Sequence, residues 1–221
     1  MPGMSAEDLQ GNLDLVDWRR QMADIYRLAL TVGVEGFREE RDRILATHPQ
    51  SPIPDDQRAS FRGVEYFAND PTFRLPCDLE PAAVTDEIEI DTGGPDGVIH
   101  YRRVGIAHFQ VQGVECHLTV LALIGYGGGL FLPFRDATSG TDTYGGGRYL
   151  FDTIKNHIPM PPPVAARQLV ELDFNYAYNP SCAYNHRWAC PLAPPENRLP
   201  VPVTAGEKSY RPSSWRGSLY K

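Results

Sequence analysis

From Leu13 to Ala46 the apolar positions recur at helical spacing. Leu13, Val16, Met22, Ile25, Leu28 and Ala29 can share one face, and Phe37, Ile44 and Leu45 continue it through "FREERDRILA". "TVGVEG" (Thr31 to Gly36) interrupts the pattern with two glycines and two valines, so two helices meeting at a bend are predicted over 13–47. "HPQSPIPDD" (His48 to Asp56) then ends the helical region with three prolines, each of which lacks a backbone donor and crowds the preceding turn. Residues 1–12 read as a flexible N-terminus.

Beyond Phe61 the period changes to two. "EIEID" (Glu87 to Asp91) alternates, and "TGGPDG" turns the chain. "HFQV" and "VECHLTVLALI" flank Gln112-Gly113, a short loop whose glycine suits a positive φ. Val114, Cys116, Leu118, Val120 and Ala122 then point to one side. "GYGGG" leads into "LFLPF" (Leu130 to Phe134), "IPMPPPV" (Ile158 to Val164) reads as a polyproline spacer, and "LVELDF" is a late strand. The expected fold is mainly β with N-terminal helices (α+β), an antiparallel meander closing into a barrel- or sandwich-like domain. The expected single domain covers 13–208, β-rich from 61, followed by a tail over 209–221. That tail is either disordered or docked on a partner chain, which leaves a homo-oligomer open.

Composition narrows the function classes. Lys+Arg 21 against Asp+Glu 28 gives a net charge of −7, a poor balance for neutralising phosphates. Nucleic acid and anionic membrane are therefore not expected partners. The opening "MPGMSAEDLQGNLDL" has neither a basic nor an apolar leader region, and "LTVLALIG" is too short to cross a bilayer. The four cysteines, Cys77, Cys116, Cys182 and Cys190, are accordingly expected as reduced thiols in the cytoplasm.

Chemically able residues concentrate in two segments, "FRDATSGTDTYGGGRYL" and Asp173 to Lys208. With "LDFNYAYNPSCAYN", "CPLAPPENRLPVPVTAGEK" and the earlier "FRGVEYF", these strings resemble the pattern of domain of unknown function 1684, a family of bacterial and archaeal proteins. The similarity runs roughly from Trp18 to Lys208 and carries no reaction with it. "FDTIKNHIPMPPPVAARQ" is longer than that pattern suggests.

The residues must therefore supply the chemistry. Arg135, Arg148, Arg198 and Lys208 offer cations for a small anionic molecule, guanidinium forks matching carboxylate or phosphate. Asp136 and Asp173 are the candidate proton carriers. Ser139, Tyr144, Asn175, Tyr178, Asn179 and Glu196 complete the candidate ligand set, with tyrosines walling the pocket. The competing reading pairs the same cations internally with Asp136, Asp152, Asp173, Glu196 and Glu207, leaving a non-catalytic interaction domain. Gly145 to Gly147 serve a tight turn better than a phosphate loop, because no "GK[ST]" follows. Asn197 reads as bonding nearby backbone in a turn. Cys182 and Cys190 read as proximal or buried thiols, and His100, His108 and His117 as ordinary hairpin residues rather than metal ligands. No cofactor is legible.

Overall fold

In the computed structural model, which describes residues 5–155, 157 and 169–212, helix α1 runs Ala6–Thr47. It starts earlier than the apolar periodicity predicts because Ser5 caps it. The Ser5 hydroxyl accepts from the Asp8 amide at 3.0 Å, and the Asp8 carboxylate accepts from the Ser5 amide at 3.0 Å. This reciprocal pair satisfies two otherwise orphaned donors, so residues 6–12 are helical rather than flexible. The predicted bend is at Gly33, where φ 72 and ψ −170 break the helix in a conformation open to glycine. A single turn, α2 (Asp55–Arg58), follows the prolines.

Seven strands come next: β1 (Arg74–Pro81), β2 (Glu87–Asp91), β3 (Val98–Val111), β4 (Val114–Leu123), β5 (Leu130–Phe134), β6 (Arg148–Asp152) and β7 (Leu169–Asp173). All pair antiparallel in the order β6-β5-β4-β3-β1-β7, with β2 also on β3. The long β3 serves two neighbours on one edge. Val98 to Arg102 pair with β2, and Gly105 to His108 pair with β1. Between Arg103 and Gly105 its register against β4 slips, a bulge that bends the strand. Gln112 (φ 50) and Gly113 (φ 82) close the β3–β4 hairpin with the two positive φ values such a turn requires.

The sheet curls until its two ends nearly meet. Tyr149 on β6 exchanges backbone hydrogen bonds of 2.9 and 3.1 Å with Tyr178, just past β7, giving a nearly closed barrel. Phe109, Leu118, Leu132, Phe134, Leu172 and Phe174 belong to one continuous apolar core, so hydrocarbon fills the space between the strands. Helix α1 packs outside that core. Met22, Ile25, Tyr26, Ala29, Phe37 and Ile44 form a second cluster against Tyr176, and Leu45 joins Ile53, Phe61, Val64 and Tyr184 in another. No helix of the described residues is long and apolar enough to cross a membrane. The polyproline spacer, 158–164, and the end of the tail, 213–221, lie outside the described residues. Within the tail, the Ser209 amide bonds the Asp142 carbonyl at 2.9 Å.

Candidate functional site

The two polar segments fold against each other, and their charges meet inside the protein. Arg148 follows the glycine turn, in which the Gly147 amide bonds the Tyr144 carbonyl at 2.9 Å. A Cβ on Gly147, at φ 93, would collide with the Phe134 carbonyl, so only glycine lets β5 and β6 approach here. The Arg148 guanidinium, 1% exposed, donates to the carbonyls of Val203 (2.9 Å), Glu207 (3.2 Å) and Ala205, and pairs with Asp136 at 3.5 Å. Burial pushes its pKa down, and Asp136 opposes that shift. Asp136 in turn accepts from the Val203 amide at 2.6 Å, from the Thr138 hydroxyl and from Ser139 Oγ at 3.2 Å. Both groups are buried, and of the Arg148 donors Nε alone is without a partner among the described residues. The structure thus places the expected ligand-orienting Arg148 and proton-carrying Asp136 against each other and against backbone groups of the second polar segment.

A second buried pair ties α1 to the same region. Arg41 donates to Glu207 at 2.7 Å, and Glu207 also accepts from the Asn179 amide at 2.7 Å and from the Tyr184 hydroxyl. Burial alone would depress the Arg41 guanidinium, but Glu207 and the surrounding tyrosines hold it well above its ordinary value. The remaining candidates are distributed around this frame. Asn179 donates to the Lys208 carbonyl at 2.7 Å, and the Lys208 ammonium lies 4.8 Å from the Phe67 ring centre. Glu196 pairs with Arg103 at 2.7 Å. Arg135 meets the Asn197–Leu199 stretch through backbone bonds, and Arg198 is exposed. Tyr178 packs edge-on against Tyr149 and His157. Asn197, expected to serve a local turn, instead reaches far along the chain: it joins Thr119 N and O (2.8 and 2.9 Å) and the Pro133 carbonyl (2.8 Å). Its burial between strands makes distant main chain its nearest polar company.

Two candidates stand apart from these staples. Asp173 and Asn175 line a cleft of about 400 Å³ between the α1 bend and the β1–β7 edge, together with Tyr26, Gly33, Arg74 and Tyr176. Gly33, where the helix breaks, is part of the cleft wall. Leu30, Val34 and Pro71 give the cleft an apolar side. Asn175 is buried and occupied, holding the Asp70 backbone from both sides (3.0 and 2.9 Å). Asp173 Oδ1 accepts two bonds from Asn175, at 2.9 and 2.8 Å. Burial raises the Asp173 pKa, while Asn175 and Arg74 pull it down. Arg74 pairs with Glu171 at 2.5 Å on the exposed side. The Tyr26 hydroxyl is buried without a hydrogen-bond partner, as are the Tyr178 hydroxyl and both ring nitrogens of His157, whose rings stack nearby. Desolvation holds His157 well below the usual imidazole range, with Arg41 and Lys155 adding to it.

Arg41, Arg74, Tyr26 and Gly33 were not singled out as site residues from the sequence. Arg41 had a legible signal: it lies four after Phe37 and three before Ile44, on the apolar face. Arg74 had a weak one: β1 alternates Leu75, Cys77 and Leu79 with outward-facing positions, but its two prolines mask the strand. His108 lies opposite His117, their ring centres 6.2 Å apart, with Glu80 3.8 Å from His108. Among the described residues no group of three or more His, Cys, Asp or Glu is arranged to hold a metal ion.

Comparison with known proteins agrees with this fold. Among solved structures, the solution structure of an uncharacterised protein from gene locus rrnAC0354 of Haloarcula marismortui is 34% identical. The match covers 79% of this chain and 91% of that one, with a TM-score of 0.59. No curated protein matches. A family model described as "Protein of unknown function (DUF1684)" matches residues 59–208, a narrower span than the resemblance from Trp18, and leaves α1 outside. Over the barrel and both polar segments, the chain belongs to that family.

Proposed function

We propose that the protein binds a small polar molecule in the cleft at the α1 bend, and that the two polar segments chiefly hold the barrel and helix together. The observation that carries this reading is the cleft itself, in which a partly desolvated carboxylate, Asp173, and a guanidinium, Arg74, share one wall system with the apolar Leu30 and Val34. The cleft's size falls within the range of small-molecule sites. A ligand carboxylate would pair with Arg74, a hydroxyl or amine would meet Asp173, and an apolar portion would lie over Leu30 and Val34. Arg74 thus takes the anion-orienting role expected of Arg148. Asp173 is the group there suited to accept a proton, because burial makes it more basic than a solvated carboxylate.

The test is ligand-observed NMR against mixtures of small carboxylates, polyols and amines, using the wild type with Asp173→Asn and Arg74→Ala. Both variants should keep the wild-type melting temperature within a few degrees and weaken binding at least about tenfold. The reading fails if the wild type binds none of the mixtures, or if both variants bind as well as it does.

A second reading, a protein-interaction domain, is favoured by an apolar stripe on α1. Leu9, Leu13 and Val16 are spaced by four and three residues and lie 53, 54 and 66% exposed. Light scattering of the wild type against Leu13→Glu tests it, since a contact through this stripe would be lost in the variant.

A further inference from the structure

We propose that Cys182 and Cys190 form a dithiol site that a hydroperoxide converts reversibly to a disulfide. The two residues are eight apart, and the short turn Ser181–Ala183 folds the chain so that the Cys182 amide donates to Cys190 Sγ at 3.4 Å. Both thiols are free. The Tyr144 hydroxyl lies 3.7 Å from Cys182 Sγ, so a phenol from the first polar segment borders the pair. Cys182 is partly exposed and Cys190 is buried, so the pair lies at the edge of the folded core.

The electrostatics favour one thiolate in this pair. The Cys190 thiol is pulled down to about 6 by the bond from the Cys182 thiol, against the opposing effect of burial, with help from Lys155 and the amides of Cys182 and Ser181. The Cys182 thiol keeps its own proton more tightly than an ordinary thiol, through its bond to Cys190 and through burial. Cys77 and Cys116 have no such arrangement. Burial pushes the Cys77 thiol up to about 12 and raises Cys116 as well, and both lie in the barrel core. Thiolate character controls oxidation, so the reaction should be confined to the pair.

In the first step the thiolate attacks the hydroperoxide. An S–O bond forms, the O–O bond breaks, and the alcohol leaves with the second thiol's proton. In the second step the other sulfur, now a thiolate, attacks the sulfenic acid, forming the S–S bond as the S–O bond breaks and hydroxide leaves, taking up from solvent the proton released when the first thiol ionised. Two thiols are oxidised and one hydroperoxide is reduced to alcohol and water. A dithiol reductant reverses the change.

The experiment treats the folded wild-type chain with tert-butyl hydroperoxide, removes the oxidant, unfolds the chain in urea to block remaining thiols with iodoacetamide, and maps peptides by mass spectrometry. The expected product is a linked Cys182–Cys190 peptide pair lighter by two hydrogens, abolished by dithiothreitol, with Cys77 and Cys116 fully alkylated. A Cys182→Ser chain should yield no link and a dimedone-trapped sulfenic acid at Cys190. Alkylation of Cys182 and Cys190 equal to that of untreated protein would overturn the proposal. So would their conversion to sulfinic acid without a link, or oxidation of Cys77 and Cys116 at the same rate.

Discussion

Replacing Arg148 with methionine probes the buried frame at its centre. Methionine matches much of the side-chain volume but supplies no donor. Asp136 would keep its bonds to Thr138 and Val203 yet lose its cation, and an uncompensated buried charge costs about 3–5 kcal/mol. The carbonyls of Val203, Ala205 and Glu207 would lose their donors as well, on the order of 1 kcal/mol each. These losses overlap, so Arg148→Met should cost about 5 kcal/mol, comparable with the whole stability of a marginal domain. Urea unfolding followed by tryptophan fluorescence reads this directly. The double variant Asp136→Asn with Arg148→Met removes the orphaned charge and should recover about 2 kcal/mol, a coupling typical of contacting residues. A loss below about 1 kcal/mol, or a double variant no more stable than Arg148→Met alone, would show that the guanidinium does not staple these strands.

Three further outcomes follow from the geometry. Burial raises Asp42 to about 6 from its ordinary 3.8, so the folded state holds that proton more tightly; stability is full below about 4 and is lost as pH rises through about 6. Asp42→Asn, which can still accept from the Val64 amide, should therefore gain about 1–2 kcal/mol at pH 7.5 after allowance for solvent, and nothing near pH 4 in paired urea melts. Asn197→Ala should cost about 3 kcal/mol, because it strands Thr119 N and O and the Pro133 carbonyl, and Asn197→Asp should not rescue the two donated bonds. Gly147→Ala should cost about 2–4 kcal/mol by thermal melting, whereas Gly93→Ala, with positive φ but open space, should cost only about 1.

How far the sequence reached depends on whether a signal was local. The bend was legible because glycine at Gly33 breaks a strong periodic face, and the β3–β4 hairpin because Gln112-Gly113 sits between alternating runs. β6 was not, since all five of its residues are buried and a strand without polar alternation looks like any apolar run. The start of α1 was missed because its first two turns are polar and exposed, so only the cap at Ser5 marks them. At the site, residue types were visible and their partners were not. Arg148 and Asp136 look alike in sequence whether they clamp a ligand or each other; burial decides, and burial belongs to the assembled barrel. Asp173 was legible as an acid on a strand end, but its cleft depends on a helix more than a hundred residues away.

Backbone amide shift mapping of the wild-type chain, titrated with whichever small molecule binds, tests the division between frame and cleft most directly. The shifts should gather at Tyr26, Gly33, Asn69, Asp173 and Tyr176, leaving Asp136, Arg148 and Val203 unmoved. Shifts centred on Arg135, Ser139 and Lys208, with the α1 bend silent, would contradict it.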